Sequence, residues 1–374
     1  MKEKMNIPLL DLRRGYEEIK EELRKEWARI LETMELFNGP NLKAFEKEFA
    51  HFLGVSFAFG CASGTDALTL ALIASGIKEG DHVLVHANAF AAACEAVRIA
   101  GARPIPVEVE EDGFGPDLED LERRIDERTK ALIVVHMYGH PVKLEACLDI
   151  CKRYGLLLIE DASHAHGATY GGRRVGSFGH MGCFSCGVVK NLNAYGDAGV
   201  VVTNDETAAH FLNYLRVHGQ VRKNEHHFYG FNSRLDELHA ATLRIKLRRL
   251  DEKNERRRRL ASLYRQGLSD LKEVKLPPED RGTSSVYHHF VIRTKKREGL
   301  MEFLKSRDVG FGIHYPTPLH LQPSWKRSGY GDFSFPRAES LCKEILSLPV
   351  FPELREEEVE YVIDSIRTYF KGNG

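Results

Sequence analysis

After Gly54 the chain alternates short apolar runs with segments of helical period, and that alternation leaves few folds open. "DHVLVHA" (81–87), "RPIPVEV" (103–109), "KALIVVHMYG" (130–139) and "LLLIED" (156–161) read as strands. "TDALTLALIASG" (65–76) and "VKLEACLDICKRYG" (142–155) between them read as helices. Strand–helix alternation of this kind predicts an α/β protein with a largely parallel sheet covered by helices on both faces. At 374 residues the chain exceeds one small core and predicts a large domain plus a smaller one.

Ahead of the alternation, Tyr16, Ile19, Leu23, Trp27 and Ile30 recur at spacings of three and four, predicting a helix over 10–36. "NGPN" breaks it, and "LKAFEKEFAHFLG" predicts a second helix ending at Gly54. Beyond residue 236, "ELHAATLRIKLRRLDEKNERRRRLASLYRQGL" reads as one long helix. Its Arg256–Arg259 run reads as a solvated face balanced by nearby acids. "YHHFVIR" then reads as a strand, and "EGLMEFLKSRD" and "REEEVEYVIDSIRTYF" as helices of a smaller α+β unit.

A formal net charge of −1 gives no overall field to hold nucleic acid or an acidic membrane. No apolar run approaches the roughly 20 residues that span a bilayer, and the first residues lack a signal-peptide apolar core. Seven unpatterned cysteines suggest reduced thiols and a cytoplasmic protein.

Several segments can carry chemistry. Ser63, Gly64 and Thr65 stand just before an apolar helix. Taken alone they read as a helix cap; the alternative is an anion site, with free amides, a positive dipole end and a glycine that admits a phosphate. Glu160 and Asp161 end a strand, where ligands of open α/β sheets bind. Either could meet a cationic ligand group or cap the next turn. His164 and His166 lack the further ligands a metal site needs, so no metal is expected. Cys183 and Cys186 have a redox or zinc spacing without a second pair, which reads as accident; Cys147 and Cys151 read as core. Lys190 stands alone between Lys152 and Lys223, after two valines and before a turn-rich stretch. A lysine in partly apolar surroundings loses some of its ammonium character and can attack a carbonyl; otherwise it snorkels to solvent. In this order on an α/β scaffold, a phosphate cradle, a strand-end acid and a lysine suit pyridoxal 5′-phosphate, which has a phosphate, a ring nitrogen and an aldehyde.

With "IPLLDLRRGYEEIK", "ASGTDALTLAL", "LLLIEDASHAHGATYGG", "FSCGVVKNLNAYGDAG", "GFNSRLDELHAATL" and "YPTPLHLQP" in sequence, the chain resembles the DegT/DnrJ/EryC1/StrS sugar aminotransferases nearly end to end. The resemblance implies a fold-type I pyridoxal-phosphate enzyme. It implies a large domain (1–240) with a mostly parallel seven-stranded sheet between helices, and a small α+β domain (241–374). It implies Lys190 as the Schiff-base lysine, Asp161 on the pyridine nitrogen, and Ser63, Gly64, Thr65 and Ser185 around the phosphate. It further implies Phe90 stacked on the ring, His164 beside the cofactor, and Asn232 reaching the phosphate of a neighbouring subunit in a homodimer. Tyr315 and His320 would lie near the substrate. The implied reaction is ping-pong transfer of an amino group from glutamate or glutamine to a keto sugar, nucleotide-linked by the same resemblance. Alternatives are a keto-cyclitol or other small ketone as acceptor, or a regulatory protein that binds the cofactor without turnover. Where the family often reads Phe-Ser-Phe, Pro-Thr before the lysine, Gly-Asp-Gly-Gly and Thr-Phe, this chain has Cys186, Val188-Val189, Ala198 and Ala89. These changes alter the walls near the cofactor.

Overall fold

In the computed structural model, which describes residues 5–372, the predicted strands and helices alternate around one central sheet. The first part comprises α1 (Leu12–Thr33), α2 (Pro40–Leu53), β1 (Phe57–Cys61), α3 (Gly64–Ala74), β2 (His82–His86), α4 (Ala91–Ile99) and β3 (Arg103–Val107). Then come α5 (Leu118–Arg123), β4 (Thr129–Val135), α6 (Leu144–Tyr154), β5 (Leu157–Asp161), the short β6 (Thr169–Tyr170) and β7 (Arg173–Arg174), β8 (Met181–Ser185), β9 (Gly199–Thr203) and α7 (Glu206–Leu215).

Seven strands form the sheet in the order β1-β9-β8-β5-β4-β2-β3. β9 alone runs against its neighbours β1 and β8; the remaining pairs are parallel. Side chains alternate across the sheet as the period of two requires. Leu132, Val134, Leu158 and Val200 enter one apolar core, and Ala131, Ile133, Ile159 and Val201 enter the other. Both faces are therefore dry, which explains why these strands read as continuous apolar runs. The sheet's carboxyl end brings Asp161, Ser185 and the first residue of β9, Gly199, together: Asp161 lies opposite Cys183 on β8, and Ser185 opposite Gly199.

The helix predicted over 10–36 is slightly shorter at each end, running Leu12–Thr33. Asp11 caps its start by accepting the Arg13 amide at 3.0 Å, and Met34 ends it in the left-handed region. Gly54 closes α2 at φ 73°. The Cys183 and Cys186 spacing, read as accident, splits between the two cores: Cys183 packs in one and Cys186 in the other.

The remaining elements are β10 (Gln220–Arg222) and β11 (Glu225–His226), α8 (Glu237–Leu247), α9 (Leu250–Leu268), β12 (Thr283–Ser284), β13 (Phe290–Arg293), α10 (Arg297–Ser306), α11 (Pro323–Ser328), α12 (Pro336–Glu344), β14 (Ile345–Leu348) and α13 (Glu356–Gly372). The single long helix expected over 237–268 is in fact two. No proline or glycine marks the break. Instead Arg248 and Arg249 form a turn between the two helices (Arg249 φ −107°, ψ 0°), and both pair with Glu22 of α1. Tertiary contact overrides helix propensity here. The turn redirects α9 into a third core, with Leu260, Tyr264 and Leu268 against Val359, Val362 and Ile366 of α13. Ile7, from the other end of the chain, packs in this same core: its amide donates to Asp308 O at 2.9 Å and its carbonyl accepts Gly310 N at 2.7 Å.

The four-arginine run of α9 also departs from expectation at one residue. Arg256 and Arg258 pair with Glu356 and Glu255 as a solvated face would, but Arg257 is turned inward and only 5% exposed.

Candidate active site

Ser63 caps α3, its hydroxyl accepting the Asp66 amide at 3.1 Å. Asp66 in turn accepts from Ser233 Oγ at 2.6 Å, and Ser233 accepts the Ala62 amide at 3.1 Å. The plain reading of Ser63 as a cap therefore describes its hydroxyl. The cap takes the Asp66 amide and leaves those of Gly64 and Thr65 at the positive end of the helix. Two glycines make the approach to this end. A β-carbon on Gly64 would lie 2.5 Å from Ser185 Cβ, and one on Gly199 would lie 2.1 Å from Ser63 O. The Ser185 hydroxyl, which accepts the Gly187 amide at 3.4 Å, thus sits against the first turn of α3. The arrangement is a hydroxyl beside free helix amides, the chemistry of a phosphate cradle.

Glu160 and Asp161 point to opposite faces of β5 and do different work. Glu160 is fully buried. It accepts the amides of Gly176, Phe178 and Gly179 at 2.6–2.7 Å and contacts His136 Nε2 at 3.1 Å, which fastens the loop before β8. The Asp161 carboxylate accepts the Ser163 amide at 3.0 Å, and its charge acts on Lys190. Ser163 Oγ accepts the Ser185 amide at 2.9 Å, linking the acid's turn to the cradle.

Lys190 follows β8 in a turn closed by its own amide on Gly187 O at 2.9 Å. Burial lowers its ammonium from 10.5 to about 8, with the Asp161 charge opposing the shift. It lines a cavity of about 200 Å³ together with His164, His289, His314, Tyr315 and Arg257. His164 accepts the Tyr138 amide on Nδ1 at 3.3 Å, which leaves its proton on Nε2. Burial, and then the Lys190 charge, hold it neutral, well below the usual imidazole range. Tyr138 adopts φ 59° and donates its hydroxyl to His314 O.

Phe90 precedes α4, is 53% exposed, and meets the Tyr315 ring at 5.0 Å. The hydroxyl of Tyr315 is raised by burial. His320 is elsewhere: it is buried against Phe335 (4.8 Å between rings), with Nε2 3.1 Å from Glu339 Oε1, and is absent from the walls of the Lys190 cavity. Asn232 is exposed, in a single antiparallel bridge with Val217. Among the described residues no cluster of three or more His, Cys, Asp or Glu has metal-site geometry, and no helix is long and apolar enough to cross a membrane.

The sequence reading missed His288, His289, His314 and Arg257. The imidazoles form a column: His164 to His288 at 4.5 Å, His288 to His289 at 4.1 Å, and His289 to His314 at 3.9 Å. The His-His doublet opening "YHHFVIR" was the available signal; it was read only as the start of a strand.

The fold is that of an α/β enzyme, with Lys190 just past the carboxyl end of a mostly parallel sheet. The chain belongs to the DegT/DnrJ/EryC1/StrS aminotransferase family, whose model matches residues 17–367. It is 42% identical over 365 residues to a Streptomyces venezuelae protein named dTDP-3-amino-3,4,6-trideoxy-alpha-D-glucose transaminase, covering 97% of this chain and 96% of that one. It is 40% identical over 371 residues to a Geobacillus stearothermophilus protein named pleiotropic regulatory protein, covering 98% and 99%. The structure of S. venezuelae DesV in complex with ketimine intermediate superposes with a TM-score of 0.95 at 42% identity, covering 97% of this chain and 98% of that one.

Proposed function

We propose that the protein is a pyridoxal-phosphate-dependent aminotransferase that moves an amino group from glutamate or glutamine to a nucleotide-linked keto sugar. The observation that carries this is Lys190, a lysine brought to about 8 by burial, in one cavity with His164 and close to Asp161. The name of the S. venezuelae relative supports a hexose ketone at carbon 3 as the acceptor.

The residues fit the cofactor. With no β-carbon on Gly64, Ser185 packs directly against the first turn of α3, and its hydroxyl stands beside the amides that would hold a phosphate. Asp161 would hold the ring nitrogen, Phe90 would cover a ring face, and His164 would donate Nε2–H beside it. Bound there, the cofactor supplies an aldehyde to receive the amine and a protonated ring to accept the electron pair left at the substrate carbon. Lys190 would hold the aldehyde carbon until a donor amine replaces it. Its freed amine would take the proton from the donor's α-carbon and later return one to the acceptor. A group near 8 serves as both base and acid close to neutral pH. Asp161 would accept the ring N–H.

The reading includes a homodimer. Leu31, Met34 and Phe37 are exposed together near the end of α1, and Arg234 stacks on Phe37 at 4.6 Å. An apolar rim of this kind suits cover by a second copy, which would bring the exposed Asn232 to its neighbour's phosphate. The free state of all seven cysteines supports the cytoplasm as its compartment.

The test is the visible absorption of the reconstituted protein before and after glutamate. A lysine-linked band that converts to the amine form supports the reading. A protein that takes up no cofactor, or binds it without conversion by any amino donor, would instead favour the regulatory role that the G. stearothermophilus relative's name suggests.

A further inference from the structure

His288 is a buried imidazole whose tautomer is set by its neighbours. Asn254 donates Nδ2 to His166 O at 2.7 Å, which leaves its Oδ1 to accept from Asn191 Nδ2 at 3.2 Å. Asn191 Nδ2 also donates to Val286 O at 3.2 Å. The Asn191 carbonyl oxygen is thus turned toward His288, whose Nδ1 donates to it at 3.0 Å. Burial holds the ring neutral, so Nε2 keeps a bare lone pair. That nitrogen is buried and has no hydrogen-bond partner among the described residues. Tyr287, just before it, stands at φ 42°. An orphaned acceptor and a bulky residue at positive φ are both costly, and such costs gather where the placement of a side chain serves function.

What the placement does can be read on both sides of the ring. Asn191 directly follows Lys190, so the Nδ1 bond ties the lysine's turn to the segment leading into β13. The ring itself lies 4.5 Å from that of His164, at an angle of 32°. His288 therefore touches both the turn that carries the lysine and the histidine that shares its cavity. Its own position is fixed from behind. Ser285 Oγ donates to Gly139 O at 2.9 Å and accepts the Tyr287 amide at 3.1 Å, and Arg257 Nη1 donates to Tyr287 O at 3.4 Å. We propose that His288 is a positioning residue, which through Asn191 and its ring contact holds Lys190 and His164 in one geometry. This rests on the reading of Lys190 given above.

The experiment compares wild type with His288→Phe, His288→Asn and Asn191→Ala. Phenylalanine keeps the ring and loses the tie; asparagine keeps an N–H near the place of Nδ1 and loses the ring. In the apo protein, acetylation of Lys190 by acetic anhydride is followed against pH by mass spectrometry, which reads the lysine without turnover. The wild-type midpoint should lie at about 8, rise toward 10.5 in His288→Phe and Asn191→Ala as the turn loosens into solvent, and stay at about 8 in His288→Asn. In the holoenzyme, kcat should fall at least about tenfold in His288→Phe and Asn191→Ala, since a misplacement of about 1 Å costs about a hundredfold, with both KM values within about threefold and His288→Asn between. The double variant should lose little beyond either single one. A midpoint unmoved in both tie-breaking variants, or a kcat within about twofold of wild type in both, overturns the proposal, even if both melt lower. Asn191→Ala decides the matter if His288→Phe does not fold. Wild type inert to every amino donor would sink the transaminase reading itself, whereas active wild type with an indifferent His288 would sink only this assignment.

Discussion

Gly64 and Ser185 meet at the sheet's carboxyl end so closely that a β-carbon on one would stand 2.5 Å from the β-carbon of the other. Both Ser185 Cα and its hydroxyl would also lie within about 3 Å, so backbone as well as side chain would have to move. Gly64→Ala should therefore cost about 1–3 kcal/mol of stability by overpacking. It should also weaken cofactor binding at least about tenfold, measured by titrating the apo protein with pyridoxal phosphate. Ser185→Ala, which removes a hydroxyl without adding bulk, should lower affinity while leaving the melting temperature nearly unchanged. Equal affinity in all three proteins would remove the cradle from this location.

Lys190→Ala should lower turnover by about a thousandfold or more, since it removes both the covalent anchor and the proton carrier. The pH dependence of stability offers a test without turnover. The folded pKa, about 8, lies below the ordinary 10.5, so the folded state releases this proton first. The cost of the buried charge is present in full below about 8. It is relieved as pH rises from 8 to 10.5, and stability from this group rises across that window. Apo wild type should gain on apo Lys190→Met from pH 8 to 10.5 in thermal melts. A difference that shrinks or stays flat would place the lysine in solvent.

Glu160→Gln should destabilise the protein by about 3 kcal/mol, because an amide replaces a buried carboxylate that accepts three backbone amides. Asp161→Asn, with one amide contact, should cost much less stability but at least about a hundredfold in turnover. Paired melting curves and rates separate the two neighbours; an exchange of the two phenotypes would reverse their roles.

His320→Ala should lose about 1–3 kcal/mol through its Glu339 and Phe335 contacts. The keto-sugar KM of the folded variant should stay within twofold of wild type. A large KM change with an unchanged melting temperature would return His320 to the substrate.

The strands were legible because both faces of the sheet are dry, so Ile133 and Ile159 announce themselves without alternation. The site was legible where its residues are close in sequence to a strand end or a helix start, as Asp161, Ser185 and Gly64 are. Arg257 was hidden because its neighbours Arg256 and Arg258 do face solvent, and sequence cannot show which arginine of a run turns inward. The break between α8 and α9 was hidden for a related reason: Glu22, which holds it, lies more than two hundred residues away. His289 and His314 meet only through the fold.

Ile7 is fixed by Asp308, Val309 and Gly310, and Leu9 and Leu10, just after it, wall the Lys190 cavity. In the order in which a ribosome delivers the chain, this stretch must wait for partners made much later. Every strand of the central sheet can be in place while that wall is still open. A nascent chain halted before residue 308 would thus carry the lysine, its acid and the cradle, yet lack the side of the cavity that completes the enclosure.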